Sequence, residues 1–325
     1  MDKAILLRNH GGPEVLGYES VEVGAPGEGE LRVRQTAIGI NFHDVYVRTG
    51  LYKTLNLPGI PGIEGVGVVT EVGPKVGGFS SGDRVAYVSP QYGAYASCRL
   101  LPAAQALRLP DDLDDYLAAT ILLKGLTAEM LVKRVHALKG GEAVLIHAAA
   151  GGVGRLLCQW ASGLGALVIG TVGSQEKAEI ARKSGCAHAI LYRQENFAKR
   201  VKDITQNRGV DVVYDSVGRD TFEGSLEALA TFGHLVNFGQ SSGPVEPFQV
   251  SRLAAGSYSL TRPIVFHYLK DRTRLEEMAA NLFKAISHGI ITAKSGKPYK
   301  LAEAAQAHAE LESRSAAGPI ILLPE

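Results

Sequence analysis

The stretch best suited to chemistry spans residues 144–154 and reads Val-Leu-Ile-His-Ala-Ala-Ala-Gly-Gly-Val-Gly. Ala149, Gly151 and Gly154 stand at the three small-residue positions of the dinucleotide fingerprint, with alanine in place of the first glycine. A pyrophosphate needs main-chain N–H groups within touching distance and a helix N-terminus aimed at it, and only residues with little or no side chain permit that approach. A packing turn between strand and helix makes the same demand, so the neighbouring elements decide between the two readings.

Those neighbours form a series. Residues 144–146 read as a buried strand, and a helix is expected over about 155–164. Further apolar strands are expected at 166–173, 189–192, 210–214 and 235–238, separated by helical patterns. This alternation predicts an α/β fold built on a doubly wound parallel sheet, where a nucleotide-binding turn belongs. Ahead of it, glycine and proline punctuate short β-rich runs at 31–37, 65–72 and 84–88, which predicts a compact, partly closed β-domain. The acids at 112–115 open one expected helix, and a second is expected over 126–136. Beyond the loop at 240–244, a strand is expected at 258–261, helices at 273–288 and 301–311, and a last strand at 320–323 returning to the first domain.

Composition narrows the function classes. The 325 residues are 46% hydrophobic and 21% charged, a soluble globular mix, and no apolar run reaches the ~18 residues that span a bilayer. With no signal-like N-terminus, the chain is expected to be cytoplasmic and not inserted in membrane. A net charge of +1 leaves no electrostatic footprint for nucleic acid. Cys98, Cys158 and Cys186 are scattered, which suggests neither a disulfide framework nor a zinc cluster.

An NAD-binding fold places an acid about 20 residues past the first glycine, at the end of the second strand. Here that position falls at Thr171-Val172-Gly173, and Ser174 and Lys177 follow at the start of the next helix. A missing carboxylate, a hydroxyl and a lysine at a helix N-terminus suit a ribose 2′-phosphate, which favours NADPH. Tyr192, at the end of the third strand, could stack on adenine or reach the same phosphate.

Several segments together resemble a known family: Gly11-Gly12-Pro13-Glu14-Val15-Leu16, Ala37-Ile38-Gly39-Ile40-Asn41-Phe42, Arg48-Thr49-Gly50-Leu51-Tyr52, Gly82-Asp83-Arg84-Val85, and Lys124-Gly125-Leu126-Thr127. With the turn at 149–154, they are similar to the zeta-crystallin-like quinone oxidoreductases of the medium-chain dehydrogenase/reductase superfamily, over essentially the whole chain. The family signature expects a basic residue where Ser162 stands. The resemblance implies a GroES-like catalytic domain over 1–125 and 265–325 and a Rossmann NADPH-binding domain over 126–264.

It also implies the chemistry. Zinc alcohol dehydrogenases of the superfamily carry a metal-ligating cysteine where this chain has Asn41 and a histidine where it has Ile63. An amide and an alkyl group are not zinc ligands, so no metal is expected. On this reading Glu64 is a structural carboxylate and His43 an ordinary loop histidine. The resemblance further implies that Asn41, Tyr46 and Tyr52 line an interdomain cleft and bracket a quinone. Thr127 would pack near the nicotinamide, Gly152 and Val153 approach the pyrophosphate, and Gly173, Ser174, Lys177 and Tyr192 hold the 2′-phosphate end. Ser216, Phe238, Gly239 and Ser241 would line the strand ends above the cofactor, while Arg262 reads as a salt-bridge residue. A homodimer formed through residues 258–261 is expected. The enzyme alternative is an NADPH-dependent reductase of activated alkenes, and the non-enzymatic alternative is an NADPH-binding redox sensor.

Overall fold

The structure, a computed structural model, describes residues 1–313 and 318–324. Strands β1 (Asp2–Leu7), β2 (Leu16–Val21) and β3 (Glu30–Gly39) lead into helix α1 (Phe42–Thr49). Then come β4 (Glu64–Val72), β5 (Arg84–Val88), β6 (Cys98–Pro102), β7 (Ala106–Arg108) and helix α2 (Asp115–Glu129). From there strands and helices alternate: β8 (Ala143–Ile146), α3 (Gly152–Gly163), β9 (Leu167–Val172), α4 (Gln175–Lys183), β10 (His188–Leu191), α5 (Phe197–Ile204), β11 (Val210–Asp215), α6 (Phe222–Ala228) and β12 (Leu229–Asn237). The chain closes with β13 (Ser259–Thr261), α7 (Val265–Leu269), α8 (Arg272–Ser287), β14 (Lys297–Lys300), α9 (Ala304–Ser313) and β15 (Ile320–Leu323).

Two compact units result. The first comprises residues 1–123, 269–279 and 293–325, and the second comprises 124–268 and 280–292. The second is organised by a six-stranded parallel sheet in the order β10-β9-β8-β11-β12-β13. Numbered within the unit this is 3-2-1-4-5-6, the doubly wound order, which reverses between β8 and β11. Helices cover both faces of such a sheet, so β8 is buried at every position and reads as a continuous apolar run. Leu145, Ile169, Val213 and Leu235, one from each of four neighbouring strands, share a core with Phe222 and Leu226 of α6.

In the first unit, a seven-stranded sheet runs β14-β15-β3-β4-β5-β7, with β6 also pairing β3, and β1-β2 forms a separate ribbon. This is the GroES-like, partly closed β-domain. Its core gathers Leu31, Val33, Ile38, Tyr87, Tyr95 and Leu101 with Leu322 of β15.

Residues 112–136 correct the sequence reading. The two expected helices are one: α2 continues past Gly125 and ends in a π-helical turn, Met130–Val135. Gly125 does not break the helix because its bare Cα serves packing; a Cβ there would lie 2.5 Å from Leu282.

One buried polar chain fixes α1 in the first unit. Arg48, 1% exposed, makes paired 2.8 Å hydrogen bonds to Glu312 of α9 and donates to His308 Nδ1 at 3.2 Å. A neutral imidazole that accepts at Nδ1 carries its hydrogen on Nε2, so His308 donates to the Tyr95 hydroxyl at 2.9 Å. Tyr95 in turn donates to Asp44 Oδ2 at 3.1 Å. Burial, aided by the Arg48 charge, lowers the His308 pKa from 6.5 to about 3.

Two outcomes follow for stability. Removing the carboxylate in Glu312→Ala strands a buried guanidinium and is expected to cost roughly 2–4 kcal/mol in urea unfolding, discounted for the partial exposure of Glu312. Between pH 6.5 and about 3 the unfolded chain binds a proton that folded His308 refuses, so stability falls as pH falls through that window. His308→Gln is expected to flatten that acid-side slope by up to about 1.4 kcal/mol per pH unit, read from urea midpoints between pH 7 and 4.

Candidate active site

In the second unit the candidate residues collect at the carboxyl ends of the parallel strands. After β8 the chain turns through Ala148, at a φ of 51°, to Gly151, the N-cap of α3. A Cβ on Gly154 would run into the Ala148 carbonyl oxygen, so the third glycine lets the helix close on the turn. A Cβ on Gly152 would lie 3.0 Å from Lys124 Cδ, which places that lysine stem along the first turn of α3. No side chain caps this helix, so its first N–H groups and those of Gly152 and Val153 are a cradle of the kind a pyrophosphate requires.

At the end of β9, a Cβ on Gly173 would sit 3.3 Å from the Tyr192 hydroxyl, and Tyr192 is 44% exposed. Ser174 caps α4, accepting from the Lys177 N–H at 3.3 Å. Gly173, Ser174, Lys177 and Tyr192 therefore share one strand-end corner. At the ends of β11 and β12, the Phe238 N–H donates to Asp215 O at 2.8 Å, and Ser241 N–H donates to Ser216 O at 3.2 Å. A Cβ on Gly239 would meet the Ser216 carbonyl oxygen at 2.6 Å, which brings Ser216, Phe238, Gly239 and Ser241 together. Thr127 lies on α2. Arg262 corrects its expected role: its guanidinium donates to the Asn237 carbonyl at 2.9 Å, holding the end of β12 rather than a carboxylate.

Beneath these residues lies a network that sequence reading missed. Ser225 spends its hydrogen on the Thr221 carbonyl at 2.7 Å, so it accepts from His147 Nε2–H at 2.9 Å. His147 Nδ1 then accepts from the Thr171 hydroxyl at 2.9 Å. Asp215 Oδ1 gathers the N–H groups of Val217 and Gly218 and the Thr221 hydroxyl. Burial lowers the pKa of His147, which keeps the ring neutral between its two hydroxyl partners.

In the first unit, Asn41 is the N-cap of α1, with backbone φ −134° and ψ 156°, and its N–H donates to Asp44 Oδ2 at 2.8 Å. Its side-chain amide donates to Glu64 Oε1 at 2.8 Å, while Glu64 Oε2 accepts the Leu123 N–H at 2.7 Å. Asn41 is 7% exposed and Glu64 fully buried, so one amide hydrogen is committed and the group's orientation is set. Tyr46 packs edge-on against Tyr52, ring centroids 5.1 Å apart. His43 lies 5.5 Å from Tyr52 and 5.9 Å from Tyr92. His43 is thus no ordinary loop histidine: it sits on α1, and burial pulls its pKa to about 4. The spacing Asn41-x-x-Asp44 carries the signal for this helix start, since an acid three residues past an N-cap closes a capping box. Nothing in the local sequence announces Tyr92, which reaches α1 only through the tertiary fold.

Among the described residues no three His, Cys, Asp or Glu side chains group as a metal site, and no helix is long and apolar enough to cross a membrane.

Comparison with known proteins agrees with this architecture. Residues 27–132 match the alcohol dehydrogenase GroES-like domain, and residues 152–285 match the zinc-binding dehydrogenase family. A quinone oxidoreductase of Pseudomonas aeruginosa is 46% identical over the full length of both chains. A 2-haloacrylate reductase of a Burkholderia species is 44% identical, also over the full length of both. The crystal structure of Escherichia coli quinone oxidoreductase complexed with NADPH superposes with a TM-score of 0.96 at 43% identity, covering 99% of this chain and 100% of that one. Fold and full-length identity converge: this chain belongs to the quinone oxidoreductase family of the medium-chain dehydrogenase/reductase superfamily.

Proposed function

We propose that the protein is an NADPH:quinone oxidoreductase that works without zinc. The observation that carries the cofactor half is the uncapped α3 N-terminus, where Gly151, Gly152 and Gly154 leave main-chain N–H groups unobstructed for a pyrophosphate. Gly152 and Val153 take the pyrophosphate, and Thr127 packs near the nicotinamide. Gly173, Ser174, Lys177 and Tyr192 receive the 2′-phosphate end, where the Thr171-Val172-Gly173 stretch lacks the acid that an NAD-binding fold places at that strand end. Ser216, Phe238, Gly239 and Ser241 line the strand ends beside the dinucleotide. When bound, NADPH supplies the reducing electrons, singly or as hydride.

Asn41, Tyr46 and Tyr52 receive the quinone. The tyrosine rings present apolar faces to a flat substrate, and the second amide hydrogen of Asn41 can donate to a quinone oxygen while Glu64 holds the first. A quinone is already electrophilic, so the protein's task is to orient it and keep water away. The donor set at the dehydrogenase zinc positions supports the zinc-free reading: Asn41 is engaged by Glu64, and Ile63 is fully buried. We further propose a cytoplasmic homodimer paired through β13, one of the two edge strands of the parallel sheet.

Reduction of activated alkenes is the second reading, favoured by the full-length likeness to a 2-haloacrylate reductase. One panel separates the two. NADPH oxidation is measured with 1,4-benzoquinone, a naphthoquinone, an enone and a haloacrylate, with and without a chelator. Chelator-insensitive turnover of the quinones is expected; turnover confined to the alkenes would move the site to the second reading, and tight NADPH binding without turnover would favour a sensor. Lys177→Ala is expected to raise the KM for NADPH about tenfold while leaving that for NADH nearly unchanged, since a lost charge-assisted phosphate contact is worth about 1.5–3 kcal/mol. Equal losses with both nucleotides would remove Lys177 from the 2′-phosphate site.

A further inference from the structure

Beside the proposed quinone residues lies a hydrogen-bonded path that this function has not used. Tyr92 is 6% exposed, and its hydroxyl is shared between His43 Nε2 at 3.1 Å and Thr54 Oγ1 in a short contact. Thr54 is exposed, so the path begins at solvent, passes through a buried phenol and ends at an imidazole. That imidazole packs against Tyr52, which packs against Tyr46. Tyr92 occupies the left-handed region at a φ of 56°, costly for a bulky side chain. Three backbone hydrogen bonds hold the following loop, from Gly93 to Ile60 O, Ala94 to Gly62 O and Tyr95 to Pro61 O. Strain of this kind persists where the surroundings impose it, and it collects at functional sites.

We propose that Thr54, Tyr92 and His43 form a proton path that feeds the reduced substrate. The proposal rests on the reading of Asn41, Tyr46 and Tyr52 as the quinone site. Hydride uptake leaves the quinone as an oxyanion one proton short of hydroquinone, and that proton must come from the protein or from water. His43 releases the proton on Nδ1 to the oxyanion and takes the Tyr92 phenolic proton at Nε2. Tyr92 is refilled by the Thr54 hydroxyl, and Thr54 by solvent. One solvent proton is consumed for each NADPH oxidised, so quinone, NADPH and one proton give hydroquinone and the oxidised nucleotide. Each residue of the path both donates and accepts, which a neutral histidine does and a protonated one does not. Burial keeps His43 neutral at ordinary pH.

The test compares the wild type with Tyr92→Phe and Thr54→Val, the second because Thr54 is exposed and its loss threatens folding least. Turnover of 1,4-benzoquinone by NADPH is measured in H2O and in D2O, and the ring nitrogens of His43 are followed by 15N NMR in the ligand-free protein. Interrupting the path makes proton delivery limiting. Both variants are therefore expected to lose about tenfold or more in kcat, with the solvent isotope effect rising to about 2 and the KM for NADPH changing less than about twofold. The His43 nitrogen shifts are expected to move in Tyr92→Phe. Unchanged kcat and isotope effect in both variants, or a rise in quinone KM alone, would overturn the path and leave Tyr92 a packing residue. Wild-type protein that reduces no quinone would overturn the proposed function first, and the path with it.

Discussion

A carboxylate with no access to water must find all its partners inside the protein, and the first unit is arranged around that demand at Glu64. Its two oxygens reach Asn41 at the start of α1 and Leu123 on α2, so a single side chain on β4 ties together a strand and two helices. The site leaves no slack: a Cβ on Gly39 would collide with the Glu64 carboxylate and the Ala119 carbonyl, which is why the preceding strand ends in glycine. Replacing the carboxylate would both unanchor the Asn41 amide and leave the Leu123 N–H without its acceptor, the costly half of a broken buried hydrogen bond.

In each unit, polar chains have their hydrogens assigned by elimination. In the first unit the Arg48 guanidinium dictates which nitrogen of His308 is protonated; in the second, the Thr221 carbonyl does the same for His147 through Ser225. Both imidazoles are held neutral by burial, so they orient neighbours without contributing charge. Such chains specify one geometry only when every member is satisfied.

Much of this was legible in the sequence, for physical reasons. The parallel strands are short apolar runs bounded by helical patterns, and the glycine turn has a spacing set by a close backbone approach, so both register locally. Gly173, Phe238 and Gly239 follow directly on parallel strands, the side on which a doubly wound sheet leaves its crevice. What escaped were relations between distant segments. A second helix is expected from residue 126 because the packing of Gly125 against Leu282, far along the chain, is not visible locally, and the burial of His43 beside Tyr92 is set only by folding. Arg262 suggested an ion pair because sequence reveals a charge but not the backbone carbonyl it meets.

The position of β15 bears on how the molecule is made. This strand, Ile320–Leu323, is inserted between β14 and β3, where Ile321 pairs with Gly39 and Leu322 with Ile38, and nearby Arg48 and Glu312 meet across 264 residues of chain. The parallel sheet of the second unit draws all its strands from the stretch between β8 and β13. A chain emerging from the ribosome therefore holds every strand of the second sheet before it holds the strand that completes the first. The earlier β-rich segment thus waits, unfinished, until the strand at Ile320–Leu323 has been made.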